Sequence, residues 1–188
     1  SQTLTINKKK IQNIISNNKS KFDPNAQIVS ILPGVKLLYR HNSLTPTFSM
    51  QAYIKGGLTD ETKDSNGIYS QLSSLLTYGH KKKPYQKLRM YLEETCSSLN
   101  GFAGKNAYGI SMKGLSDNFN ELSSHFFNSM ITPTIPDKYL ALEKKMAIRS
   151  LKSQVEDPVK QCFNTICEIT FKNHPYSMNI IGSGQSLK

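Results

Sequence analysis

Apolar and polar positions along the chain change period several times, and each change marks an element. Through residue 27 the chain is rich in Lys, Asn and Ser, has few apolar residues beyond Ile6, Ile11, Ile14 and Ile15, and is punctuated by Asp23-Pro24-Asn25. Residues 1–27 therefore read as a linker or arm with room for one short helix. Ile28 to Leu32 and Val35 to Tyr39 are strand-like on either side of the turn signal Pro33-Gly34, which predicts a hairpin. Phe48, Met50, Ala52 and Ile54 fall on one side of a third extended run that ends at Gly56-Gly57.

Beyond that strand the period lengthens. Asn66-Gly67 opens a helix of about three turns carrying Ile68, Leu72, Leu75 and Leu76 and closed by Gly79. Pro84 suits the first turn of a second helix, to about Ser97, in which Leu88, Tyr91 and Leu92 share a face before Asn100-Gly101 breaks it. Ala107 to Leu115 returns to strand alternation, and Ser116 is placed as the N-cap of a helix through Met130 with Phe119, Leu122, Phe126 and Phe127 on its apolar side. Pro136 begins a long helix to about Glu156, Asp157-Pro158 interrupts it, and a further helix runs to about Phe171. This order predicts an α+β domain over 28–188, a mostly antiparallel sheet covered by helices on one face.

Composition narrows the function classes. An apolar fraction of 37% and a mean hydropathy of −0.44 in 188 residues suit one globular core. No stretch approaches the roughly 18 apolar residues of a bilayer helix, so no membrane span is expected. Cys96, Cys162 and Cys167 cannot close a disulfide framework and fit no structural zinc spacing, so they read as reduced packing thiols. The net charge of +11 is carried by lysines spread along the chain, with only Arg40, Arg89 and Arg149 as arginines. Lys81-Lys82-Lys83 is the only run in the folded part and reads as a solvated loop, a pattern that argues against a nucleic-acid reader.

The most informative element is the helix after Asn66-Gly67, where Ser70, Ser73, Ser74 and Thr77 form a stripe of small hydroxyls at i, i+3, i+4 and i+7. A strand ending Lys55-Gly56-Gly57, an acidic loop with Asp60, Glu61 and Asp64, then Gly67-Ile68-Tyr69, this helix and Gly79 resemble the pitrilysin/insulinase family of zinc metallopeptidases. Active members carry a His-x-x-Glu-His motif on this helix. Aligned on Gly67, that motif falls on Ser70-Gln71-Leu72-Ser73-Ser74. The family's third ligand, a glutamate about 75 residues downstream and about seven after an earlier glutamate, falls on Ser150, and Glu143 matches the earlier acid. Asn100-Gly101, Thr132-Pro133 and His174-Pro175-Tyr176 extend the resemblance over about Ile28 to Leu187.

The departures decide what the resemblance implies. Zinc takes imidazole, thiolate or carboxylate, and neutral serine hydroxyls at positions 70, 74 and 150 are poor substitutes. Ser73 stands where the family has its general base, and an alcohol cannot take a proton from water near neutral pH. The expectation is therefore no catalytic residue and no metal in this chain. No other site compensates: His41, His80, His125 and His174 lie in separate segments, Glu121 and His125 read as a surface i,i+4 contact, and Ser183 reads as a loop residue.

By resemblance the chain is a catalytically inactive half with the mitochondrial-processing-peptidase-like metallohydrolase fold, whose unit would run on past Lys188 through another helix and strand. It would help enclose a peptide substrate for an active, zinc-bearing partner half, in the same polypeptide or a separate subunit, the parent being a zinc metalloendopeptidase. The strand expected to line the substrate is Asn106 to Lys113, with Asn106, Ala107, Tyr108 and Gly109 as contacts, and an open edge there would also favour self-association. Two alternatives stand beside it: a stand-alone basic adaptor or nucleic-acid-binding domain with only architectural similarity, and an active peptidase whose ligands come from elsewhere in a longer chain.

Overall fold

Hydrophobic alternation and turn chemistry translate into strands almost where expected. The computed structural model describes residues 23 and 25–187, so the arm expected over 1–27 lies almost wholly outside the described residues. The chain divides into two compact units that meet at Pro46/Thr47. In the first, β1 (Ala26–Leu32) and β2 (Val35–Arg40) form the antiparallel hairpin, with Ile28 opposite Leu38. Gly34 turns the chain at φ +80°, a conformation that a side chain would strain.

The second unit opens with β3 (Thr47–Lys55) and the short helix α1 (Ile68–Leu75). A two-residue hairpin of β4 (Gly79–His80) and β5 (Lys83–Pro84) leads into α2 (Tyr85–Glu94). Then come β6 (Ser98–Ala103), β7 (Ala107–Leu115), α3 (Phe119–Ile131), α4 (Asp137–Val155) and α5 (Pro158–Thr170). The sheet order is β3-β7-β6, antiparallel throughout. Register puts Met50 and Leu99 on either side of Met112, and Ala52 and Gly101 on either side of Ile110. These side chains meet Leu76, Leu88, Leu92, Leu122 and Phe126 from the helices in one core. Alternation turns Gln51, Tyr53, Ser111 and Lys113 to the opposite face. The domain is thus α+β with helices over one sheet face, and among the described residues no helix is long and apolar enough to cross a membrane.

Four local expectations change. The stretch Ser98–Ala103 is a strand, not a simple helix break, because Leu99 reaches the core and Gly101 lets a helix approach. The helix α1 has eight residues, nearer two turns than three. Ser116 starts a 3-10 turn, and α3 begins after Asn118 with no side-chain cap bond. The β4–β5 hairpin has no alternation to announce it, being only two residues a side.

Candidate functional site

The serine stripe lies on α1, and three contacts fix that helix. At its start Gly67 takes φ +91°, and an added Cβ there would run into the Ile181 carbonyl. Glu61, 5% exposed, accepts hydrogen bonds from the Gly67 amide at 2.8 Å, the Asn66 side chain at 2.9 Å and the Tyr69 amide at 3.2 Å. A carboxylate there satisfies otherwise orphaned helix N–H groups and favours the positive end of the helix dipole. Beneath the C-terminal half, a Cβ at Gly101 would collide with the Ser73 carbonyl, so α1 rests directly on the β6 backbone.

Two ties align α4 with α1. Past the end of α1, the Tyr78 hydroxyl donates to Glu143 Oε1 at 2.6 Å, and burial with the neighbouring carboxylate raises the Tyr78 pKa well above its ordinary value. At the other end, Asn66 donates to the Asn179 carbonyl at 2.9 Å and Asn179 donates to Gln154 Oε1 at 2.7 Å. The helices are therefore antiparallel. Interpolated between the ties, Ser150 comes at about the level of Ser70, and at about 100° per residue it lies about 20° around α4 from Glu143 and about 40° from Gln154. Ser73 is buried at 2% exposure and its hydroxyl donates to the Ser70 carbonyl at 2.9 Å; Ser70 and Ser74 are half-buried and Ser150 is exposed.

This donor set does not fit zinc. Hydroxyls stand at the three positions that the resemblance expects to be ligands, Ser73 is turned onto its own helix, and Glu143 is engaged by Tyr78. Among the described residues no group of three His, Cys, Asp or Glu side chains is placed to hold a metal ion.

The expected substrate strand requires correction. Asn106 to Lys113 is not an edge: β7 is the middle strand, with Tyr108 paired to both Ile54 and Ala103, and Gly109 to both Tyr53 and Phe102. Ala107 pairs with Lys55, and Asn106 accepts a hydrogen bond from the Tyr176 hydroxyl at 2.6 Å. Their backbone is already used. Among the described residues the open edge nearest the serine stripe belongs to β6, a strand that sequence periodicity missed; Asn100-Gly101, the signal that marked a break, was the available clue. The histidines also differ from expectation. His80 and His125, 45 positions apart, are both buried and in contact at 3.0 Å, and Lys83 packs on His125 at 3.1 Å instead of standing in a solvated loop.

Comparison with known proteins follows the same lines. The family model described as Insulinase (Peptidase family M16) matches residues 36–184. No curated protein matches the chain in sequence. Among solved structures, a peptidase M16 inactive domain from Pseudomonas fluorescens is 21% identical with a TM-score of 0.77 over 87% of this chain and 40% of its own. A protease from Helicobacter pylori is 14% identical with a TM-score of 0.76 over 86% of this chain and 39% of its own. The chain thus spans about two fifths of the length of these structures.

Proposed function

The chain belongs to the insulinase family (peptidase family M16), and we propose that this stretch of it is a non-catalytic half that holds peptide for an active partner half. The observation that supports this reading is the antiparallel register of α1 and α4, with Ser70, Ser74 and Ser150 read as the counterparts of the family's ligands. With alcohols there and no carboxylate base at Ser73, the half has neither Lewis acid nor base of its own. Zinc and hydrolysis then belong to the partner half, in the same polypeptide or in a second subunit. The fold likeness to an inactive M16 domain supports this division of labour.

Peptide would be held by backbone pairing along β6, whose outer edge runs beside α1. Backbone pairing is tolerant of side chains, which suits a surface that encloses peptide without choosing the cleaved bond.

The test restores the ligands. The triple variant Ser70→His/Ser74→His/Ser150→Glu is expected to copurify with about one zinc per chain, while the parent chain takes up none stoichiometrically. Because Ser73 still stands in place of the base, the variant is expected to bind zinc without hydrolysing a denatured-protein digest. Zinc bound stoichiometrically by the parent, or failure of a folded triple variant to bind any, would overturn the reading. In parallel, a labelled extended peptide that binds the chain should lose affinity when alternate backbone nitrogens are methylated.

A further inference from the structure

Outside the serine stripe, the densest cluster of titratable groups surrounds the β4–β5 hairpin. His80 on β4 is 1% exposed and His125 on α3 is 8% exposed. His80 Nε2 and His125 Nδ1 are 3.0 Å apart, and Lys83 Nζ on β5 lies 3.1 Å from His125 Nε2. Glu121 on α3 is 3.5 Å from both Lys83 Nζ and His125 Nε2. From α2, Tyr91 bears on Glu121 and puts its ring 3.7 Å beneath the Lys83 ammonium. Lys82 also bears on His80 from the turn.

Donor logic fixes the protons. An ammonium only donates, so His125 Nε2 accepts from Lys83, and the His125 proton must sit on Nδ1. That N–H donates to His80 Nε2, leaving the His80 proton on Nδ1, a buried atom with no hydrogen-bond partner. Neither ring can gain a proton without setting two donors face to face: a charged His125 would oppose Lys83, and a charged His80 would oppose His125. Consistent with this, burial first and the neighbouring positive charges second lower both histidine pKa values, with Glu121 pulling the other way on His125.

The pair joins a small hairpin to the rest of the unit. Besides the Lys83 contacts with Glu121 and Tyr91, backbone bonds tie the hairpin to the 132–134 segment: Lys81 donates to the Thr132 carbonyl at 3.0 Å, Thr134 donates to the Gly79 carbonyl at 3.1 Å, and His80 bridges Pro133. The hairpin also walls a groove of about 360 Å³ floored by Tyr78, Tyr85 and Tyr139.

We propose that the β4–β5 hairpin is an acid-released strap, clipped to α3 and the 132–134 segment while the His80–His125 pair is uncharged and let go when the pair takes up a proton. Release removes one wall of the tyrosine groove. The proposal is independent of the peptide-holding reading, since it involves neither α1 nor β6.

Hydrogen exchange followed by NMR on the 188-residue chain tests it, reading the Lys81 and Thr134 amides between pH 7.5 and 5.0 after correction for intrinsic rates. In the open state each histidine titrates near its ordinary value, so protection of these two amides is expected to fall by up to about 30-fold per histidine, while central β7 amides stay more protected. Lys83→Met should shrink the acid-dependent loss of protection, because the cation that makes a charged His125 unfavourable in the clipped state is gone. Glu121→Gln should enlarge that loss toward its ceiling, because the carboxylate that favours a charged His125 in the clipped state is gone. These variants leave both rings in place, so the test does not depend on a histidine variant folding. Equal loss of protection in the hairpin and β7, no pH dependence, or an acid-dependent loss left unchanged by both variants would overturn the proposal.

Discussion

Replacing Glu61 by Gln isolates what anchors the stripe-bearing helix. The Glu61 carboxylate is buried and takes three hydrogen bonds, two on Oε2 from Asn66 and the Gly67 amide and one on Oε1 from the Tyr69 amide. A glutamine keeps the shape but has one acceptor. If its oxygen takes the Oε2 position, two bonds change from charge-assisted to neutral, costing about 1 kcal/mol each, and its NH₂ then faces the Tyr69 N–H, which costs about 1 kcal/mol more. The expected loss is about 3 kcal/mol. In a chain of roughly this size each kcal/mol moves the melting midpoint by about 2–4 °C, so Tm should fall by about 6–12 °C. Thermal and urea unfolding followed by circular dichroism measures this, with the exposed neighbour Asp60→Asn as a control expected within about 0.5 kcal/mol of the parent. A Glu61→Gln variant as stable as that control would refute the view that this carboxylate sets the start of α1.

Two further outcomes follow from particular contacts. Gly101→Ala places a methyl against the Ser73 carbonyl, a backbone clash that no rotamer relieves; it should cost about 2–3 kcal/mol and weaken zinc uptake by the Ser70→His/Ser74→His/Ser150→Glu background, both measurable by urea titration and metal analysis. Asp157 caps α5 by accepting from the Val159 and Lys160 amides at 3.1 and 3.2 Å, and those bonds hold its pKa below the usual 3.8. The sign follows: the cap contributes above pH 3.8 and is lost as pH falls through the lower folded value, so helicity should drop below about pH 4, and an Asp157→Ala chain should lack that step.

Much of the fold was legible because local chemistry and burial agree over long runs. Alternation through Phe48, Met50 and Ala52 coincides with packing against the helices, and Pro136 and Asp157-Pro158 bracket α4 by rules that act within one turn. The residues proposed for the site come from residue types at fixed spacings, since Ser70, Ser74 and Ser150 are located by counting. What counting could not do was choose the sheet edge. Asn106 to Lys113 alternates well because it is buried between two neighbours, and the same alternation that made it look like a substrate strand came from its central place. One of the two edges, Ser98–Ala103, has a weak pattern because one of its core positions is a glycine that admits α1.

The sequence alone therefore determined most of the elements and the family resemblance, and it put serines where that resemblance expects metal ligands, all properties written in neighbouring residues or in their separations. Tertiary structure alone decided which strand is central and which are edges among the described residues, which level of α4 faces α1, and that His80 and His125 share one buried hydrogen bond. Those depend on contacts between segments 45 or more positions apart, for which local periodicity carries no signal.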